Sequence, residues 1–237
     1  MTSKVTPERI LSTNGLSVPS GFPFDEYESI HKFVSGKLSG HTSYEHFAGS
    51  WNAIAYRYCA CIEHGDNFLK SLSSYGPSPK PKDRYDQERM LFDFFSSAFA
   101  TFEALFYGMY ALGTIIDPSS FSLATEKEQQ KVSPSSTQRA FVTAFPSDEI
   151  LLSLQTLFDH AQYQTMREIR NVLTHRTAPG RRFYVSLGSD DQPTAEWKLN
   201  NKPIDEQIVT DTTVALGALL KTMMEALDEF INRRIIK

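Results

Sequence analysis

The feature that most restricts the fold is an apolar stripe running from Met90 to Leu112. Met90, Leu91, Phe94, Phe95, Phe99, Phe102, Leu105, Phe106, Met109 and Leu112 recur at the spacing of a helix. So wide an apolar surface has to be covered by other elements, so the stretch from about Asp83 to Ile116 is expected to be a central helix of the fold. Asp93 and Glu103 interrupt the run, which separates it from a membrane span. A chain of 237 residues can bury a substantial core without a metal or disulfide staple.

Two further long helices are written in the same way. From Ser43 to about Ser73, Phe47, Trp51, Ile54, Tyr58, Ile62 and Leu69 step at helical spacing, with Ser43 available as a cap. From Asp205 to Ile236, apolar residues from Val209 to Ile235 do the same, and Arg233, Arg234 and Lys237 suit the C-terminal dipole. The prolines between Tyr75 and Asp83 make that stretch a connector. After Asp117-Pro118 the chain is polar and broken to Phe145, with short helices expected near Glu126 to Val132 and Thr137 to Phe141. A fourth long helix is expected to start at Ser147-Asp148-Glu149 and to run to Arg176 along Leu151, Leu154, Leu157, Phe158, Met166, Ile169, Val172 and Leu173. Thr177-Ala178-Pro179-Gly180 then ends it. Aromatic and β-branched residues at Arg182 to Leu187 and Ala195 to Leu199 flank Gly188 to Pro193, which marks a β-hairpin inserted between helices. Residues 1–43, rich in Ser, Gly and Pro, are expected to form an irregular N-terminal arm with room for a short helix from Asp25 to Val34. Phe22, Phe24, Tyr27, Ile30 and Phe33 are more apolar than a linker requires, so parts of the arm are expected to lie on the core or on a partner. The expected architecture is all-α: a helical bundle of about four long helices over residues 44–237, with an inserted hairpin near 182–199.

The start of the chain lacks the apolar core of a signal peptide. Cys59 and Cys61 sit two apart in a helical pattern, so they point apart, which fits a reducing cytoplasm. His31, His41, His46, His64 and His160 form no metal-ligand spacing, and phosphate-loop, nucleophile-elbow and dinucleotide fingerprints are missing, so neither a metal nor a cofactor is expected. The formal net charge is -4, yet Arg167, Arg170, Arg176, Arg181 and Arg182 face only Glu168 between 167 and 182, a local +4 that leaves -8 for the remainder. Basic charge is therefore focused on one stretch.

That stretch contains Arg170-Asn171-Val172-Leu173-Thr174-His175. Late in a helix of an all-helical bundle, it resembles the signature of the HEPN superfamily: Arg, a polar residue, three spacers and His. The resemblance, which covers about Arg84 to Lys237, implies a helical bundle that dimerises and, in many members, cleaves RNA without metal; other members bind or regulate without catalysis. It implies a homodimeric toxin-type or defence-type endoribonuclease, with RNA or a nucleotide as ligand and an antitoxin or regulatory protein as partner. The residue chemistry is consistent with this. His175 supplies proton transfer, Arg170 a planar cation for phosphate oxygens, and Asn171 hydrogen bonds that orient them. Glu103, a carboxylate inside an apolar run, is the acid expected to pair with Arg170, with Asp93 as competitor. Arg167, Arg176, Arg181 and Arg182 are the candidate phosphate contacts.

The same residue types have plainer uses. His175 and Arg176 suit a helix C-terminus, and Arg167, Arg181 and Arg182 suit solvated surface. Five helical residues also turn through about 500°, which leaves Arg170 and His175 roughly 140° apart. The helix loosens before His175, the side chains curl into one cleft, or a second copy supplies the missing half.

Overall fold

A computed structural model describes residues 9–175, 180–184, 194–199 and 202–235. Among these the chain is mostly helical, with small antiparallel strand pairs. The elements are β1 (Arg9–Ile10), β2 (Ser17–Val18), α1 (Phe24–Leu38), α2 (Tyr44–Tyr75), α3 (Pro81–Ile116), α4 (Glu126–Gln129), α5 (Pro134–Ala144), α6 (Ile150–Asp159), α7 (Ala161–His175), β3 (Gly180–Tyr184), β4 (Thr194–Leu199), β5 (Lys202–Pro203) and α8 (Glu206–Ile235). The chain divides into two compact units, 1–59 with 100–160 and 216–237, and 60–99 with 161–215. Three helices, α2, α3 and α8, contribute residues to both.

In the first unit, the stretch read as an irregular arm is ordered from Arg9 onward. β1 pairs with β2 through Arg9↔Val18 and Ile10↔Ser17. The 15-residue α1 buries Tyr27, Ile30 and Val34. The apolar residues of this stretch pack against residues distant in the chain: Tyr27 stacks on Trp51 at 5.4 Å, and Phe22 meets Tyr58 edge-on at 5.3 Å. A second aromatic cluster joins Phe121, Phe141, Phe145 and Phe230. Gly217 is required where α8 passes under the chain, because a Cβ there would meet the Gly21 carbonyl oxygen at 2.5 Å. Capping boxes, Thr125 with Glu128 and Ser133 with Ser136, start α4 and α5. The C-terminus of α8 is clamped by Asp148, whose side chain is 3 % exposed and which accepts hydrogen bonds from Arg233 at 2.7 Å and Arg234 at 2.9 Å. Burial alone would raise the Asp148 carboxyl, but hydrogen bonds from Arg233, the Ile150 amide and Arg234 outweigh it and hold it below its ordinary value.

In the second unit the sheet order is β3-β4-β5. The hairpin is present and gains a third, two-residue strand, held by Lys198↔Pro203 and Leu199↔Lys202. Its turn, 185–193, lies outside the described residues. Trp197 of β4 packs on Phe68 of α2 at 5.7 Å. Gly65 brings α2 close to its neighbours, since a Cβ there would stand 3.0 Å from the Phe94 ring and 3.3 Å from Val209.

The stripe on α3 is buried as expected, with Phe94, Phe95, Phe102, Leu105, Phe106, Met109 and Leu112 all at 0 % exposure. By length and composition α3 would also cross a membrane, but 67 % of its most apolar window is buried inside the protein, as for a core helix. The expected single helix from Ser147 to Arg176 is a correction: it is two helices, α6 and α7, broken at His160, whose ψ of 126° is extended. Three helices of 30 residues or more result, rather than four long ones. The buried set of α6 is Ile150, Leu154 and Leu157, and that of α7 is Tyr163, Met166, Ile169 and Val172. On one unbroken helix these two sets would face directions roughly 120° apart. The break lets both face a core.

Candidate functional site at the end of helix α7

The face of α7 that carries Tyr163, Met166, Ile169 and Val172 is buried, which turns its flank and C-terminal end outward. Lys202 ties β5 to this helix, donating to Thr165 Oγ1 at 2.8 Å and pairing with Glu168 at 3.3 Å. The negative charge within the basic run is thereby engaged by a lysine outside it. Backbone geometry is α-helical through His175, so a loosening of the helix ahead of the histidine is not found.

Arg170 is half-buried. Its guanidinium carbon stands 5.4 Å from the centroid of the Phe99 ring, within the range in which a ring face attracts a cation. Its Nη1 donates to Asn171 Oδ1 at 3.2 Å. Asn171 and His175 are four residues apart and so share a helix face. By helical angle Asn171 lies between Arg170 and His175. Arg170 reaches around to Asn171, and Asn171 stands on the strip that ends in His175. Thr174 and His175 are exposed. A planar cation, an amide and an imidazole thus occupy adjacent strips at the open end of α7. A guanidinium is of the type that pairs with phosphate oxygens, and an imidazole of the type that exchanges a proton near neutral pH.

The other expected arginines separate. Arg167 is half-buried and donates to Gln164 Oε1 at 2.5 Å. Arg176 lies outside the described residues. Arg182 is exposed on β3, opposite Glu196 in the hairpin register. Arg181 has its side chain enclosed by the fold. Its side chain is 3 % exposed, its guanidinium carbon lies 3.8 Å from the Trp197 ring centroid, Nη1 donates to the Pro77 carbonyl at 2.7 Å, and Nε stands 3.7 Å from Glu88. Burial pushes Arg181 down to about 10, against the pull of Glu88 and with the push of Arg84. It is a cation at neutral pH whose contacts hold the hairpin to α3 and to the connector before it.

Glu103, expected beside Arg170, belongs to the first unit. There it is half-buried and lines a cleft of about 530 Å³ with Glu45, His46, Arg57 and Tyr107 among others. Sequence reasoning did not assemble this cleft, because its residues come from positions 45–57, 103–107 and 132–134, brought together by the packing of α2 against α3. Asp93, the competing acid, is half-buried on α3 in the second unit. Among the described residues, no group of three His, Cys, Asp or Glu is placed to hold a metal ion. Burial raises the thiols of Cys59 and Cys61, which disfavours the reactive thiolate. Comparison with protein-family models, with curated proteins and with solved structures gives no match for this chain.

Proposed function

We propose that the chain is a HEPN-like, metal-independent endoribonuclease of a toxin or defence type, active as a homodimer through the C-terminal end of α7. The observation that carries this reading is the Arg170–Asn171 hydrogen bond beside exposed His175. In the reaction, His175 takes the proton of a 2'-hydroxyl, whose oxygen attacks the adjacent phosphorus. Arg170 stabilises the charge on the equatorial oxygens, and Asn171 holds the guanidinium and the phosphate in register. The bond to the 5'-oxygen breaks, and that oxygen takes up a proton. The products are a 2',3'-cyclic phosphate and a 5'-hydroxyl. Such a transfer uses one base and one acid, while α7 supplies a single histidine per chain. A second copy supplies the other, which is the role given to the homodimer. An antitoxin or regulatory protein covering the same end of α7 would restrain the activity.

Product-end analysis tests the chemistry. Cyclic phosphate ends on RNA cleaved by the purified protein are expected. Linear 3'-hydroxyl and 5'-phosphate ends would contradict a 2'-hydroxyl nucleophile.

One observation favours a second reading, a non-catalytic HEPN-like module that binds RNA, a nucleotide or a protein. With Arg181 buried, the basic run presents fewer cations than its sequence suggests, against a remainder of -8. Binding of RNA without cleavage, weakened by Arg170→Ala and indifferent to His175→Ala, is the result that would select it.

A further inference from the structure

Within the second unit the outer face of α3 carries a line of aromatic rings. Tyr85, Phe92 and Phe99 follow one another at intervals of seven residues. Each interval falls only about 20° short of two full turns, so the three share one face. Their exposure falls in order, 63 % at Tyr85, 38 % at Phe92 and 5 % at Phe99. Phe99 is covered by the site itself, since Arg170 lies over its ring and Tyr163 packs beside it at 5.8 Å. The line therefore begins under the cation of the α7 site and emerges into solvent. Arg181, six residues beyond the end of α7, stands 3.7 Å from Glu88 of α3. Between Phe99 and Glu88 the chain leaving α7 has thus moved toward the part of α3 that holds Phe92 and Tyr85.

Arg89 stands between the two exposed rings, four residues after Tyr85 and three before Phe92, with its own side chain about half exposed. It lies 3.8 Å from Asp86, which is itself paired with Lys82 at 2.9 Å. Asp93 is half-buried on the flank. Lys80, Lys82, Arg84 and Arg89 balance Asp83, Asp86, Glu88 and Asp93 in this part of the chain. The strip therefore offers ring faces and one well-placed cation rather than net positive charge. Such rings are met by bases whose own faces are uncovered. In a duplex the bases cover one another, and a double strand is recognised through its phosphates and hydroxyls. Successive rings stand roughly 10.5 Å apart along the helix, about three times the ~3.4 Å step of stacked bases. That spacing suits a strand whose bases are splayed.

We propose that this face of α3 is a track for single-stranded RNA, with bases stacked on Phe92 and Tyr85 and the backbone between them passing Arg89. The track presupposes RNA at the end of α7, as proposed above, and specifies a single strand as the form taken. Continuity decides the occupant. The next ring in line is the one on which Arg170 lies, so a strand whose phosphate pairs with that guanidinium has Phe92 one step away. Stacking tolerates any base, because each has a π-face. The track supplies affinity and discriminates against duplexes without selecting a sequence.

The test is fluorescence anisotropy of the full chain with a labelled single-stranded 2'-O-methyl oligoribonucleotide of about 12 nucleotides, beside the same strand in a duplex. The methyl group removes the nucleophile, so the strand is bound without being cut. Binding of the single strand is expected, with the duplex weaker by about tenfold or more. Phe92→Ala and Tyr85→Ala should each weaken it by about fivefold to a hundredfold, while Phe92→Tyr and Tyr85→Phe keep most of the affinity. The slope of affinity against salt should stay that of the parent, because no phosphate contact is removed. Both side chains are exposed, so an unchanged melting temperature is expected in all four variants. Failure of the parent to bind the single strand would overturn the proposal, as would equal affinity in both alanine variants or equal affinity for the duplex. So would the fall of a dimer to monomers on sedimentation of either alanine variant, which would make this face a seam between copies. Cleavage of ordinary RNA in EDTA by the same preparations separates the track from the ribonuclease reading. A parent that cuts while its alanine variants bind unchanged removes the track and leaves the enzyme; a parent that binds through the rings without cutting keeps the track and selects the non-catalytic module.

Discussion

Arg170 and Arg181 come from the same short basic run, and each lays its guanidinium against an aromatic ring, yet their other contacts differ. Arg181 is tied to the fold by a carbonyl and a carboxylate, and Arg170 donates to its chain neighbour Asn171. Arg181 lies 3.8 Å from the Trp197 centroid with its side chain 3 % exposed, and its contacts are a carbonyl, a carboxylate and an indole of the fold. Arg170 lies 5.4 Å from Phe99, half-buried, on the flank of a helix whose last residues are exposed. An aromatic neighbour alone therefore does not mark a functional arginine. What separates the two is how far the side chain is enclosed by the fold, which is the feature the proposed phosphate role of Arg170 depends on. The difference also has an energetic side, because an enclosed cation loses hydration that only well-placed partners offset.

The largest expected effect sharpens that comparison. Arg170→Ala and His175→Ala should each lower RNA cleavage by roughly 10²- to 10⁴-fold, and His175→Ala should leave the melting temperature nearly unchanged because its side chain is exposed. Retained cleavage in either would break it. Arg181→Ala should do the reverse, destabilising by about 3 kcal/mol in urea titrations, shifting tryptophan emission through Trp197, and leaving cleavage per folded molecule unaltered. Arg181→Lys should be nearly as damaging, since an ammonium does not cover the indole plane. An Arg181→Ala protein as stable as the parent would contradict the structural role.

Asp148 extends the contrast to a buried anion. Asp148→Asn should cost about 2 kcal/mol at neutral pH, less than a fully enclosed pair because both guanidiniums are partly exposed. The sign of the pH dependence follows from the direction of the shift. The folded carboxyl is held below the ordinary 3.8, so its contribution is fully present above that value and is lost as pH falls through the lower folded value. Parent and variant stabilities should converge on acidification, and a gap that persists undiminished in acid would contradict the clamp. Smallest is Arg182→Ala. As a surface substitution it should change stability by no more than about 0.5 kcal/mol, with a slightly shallower salt dependence of RNA binding.

Much of the helical framework was legible because its signal is local. The expected spans Ser43 to Ser73, Asp83 to Ile116 and Asp205 to Ile236 lie close to Tyr44–Tyr75, Pro81–Ile116 and Glu206–Ile235. The break at His160 carries no proline or glycine, and its one trace is the change of phase between Leu157 and Tyr163. That trace is readable only when the buried face is followed in angle rather than in spacing. The packing of residues 9–43 and the enclosure of Arg181 depend on contacts with Trp51, Tyr58, Glu88 and Trp197, distant in sequence; the apolar residues of the arm hinted at the first, and local composition did not show the second. The Arg170-Asn171-His175 cluster was legible as residue types. The Arg170–Asn171 hydrogen bond was not, because it depends on a side-chain conformation. The cleft between α2 and α3 was invisible for a third reason. Glu45 and Glu103 become neighbours only through the pairing of His46 with Tyr107 and of Arg57 with Ala100.

The most direct test of the central claim is incubation of the purified protein with mixed RNA in excess EDTA, beside Arg170→Ala and His175→Ala. The account predicts cleavage by the parent chain, undiminished by the chelator and lost in both variants. Cleavage that EDTA abolishes, or that either variant retains in full, would contradict it.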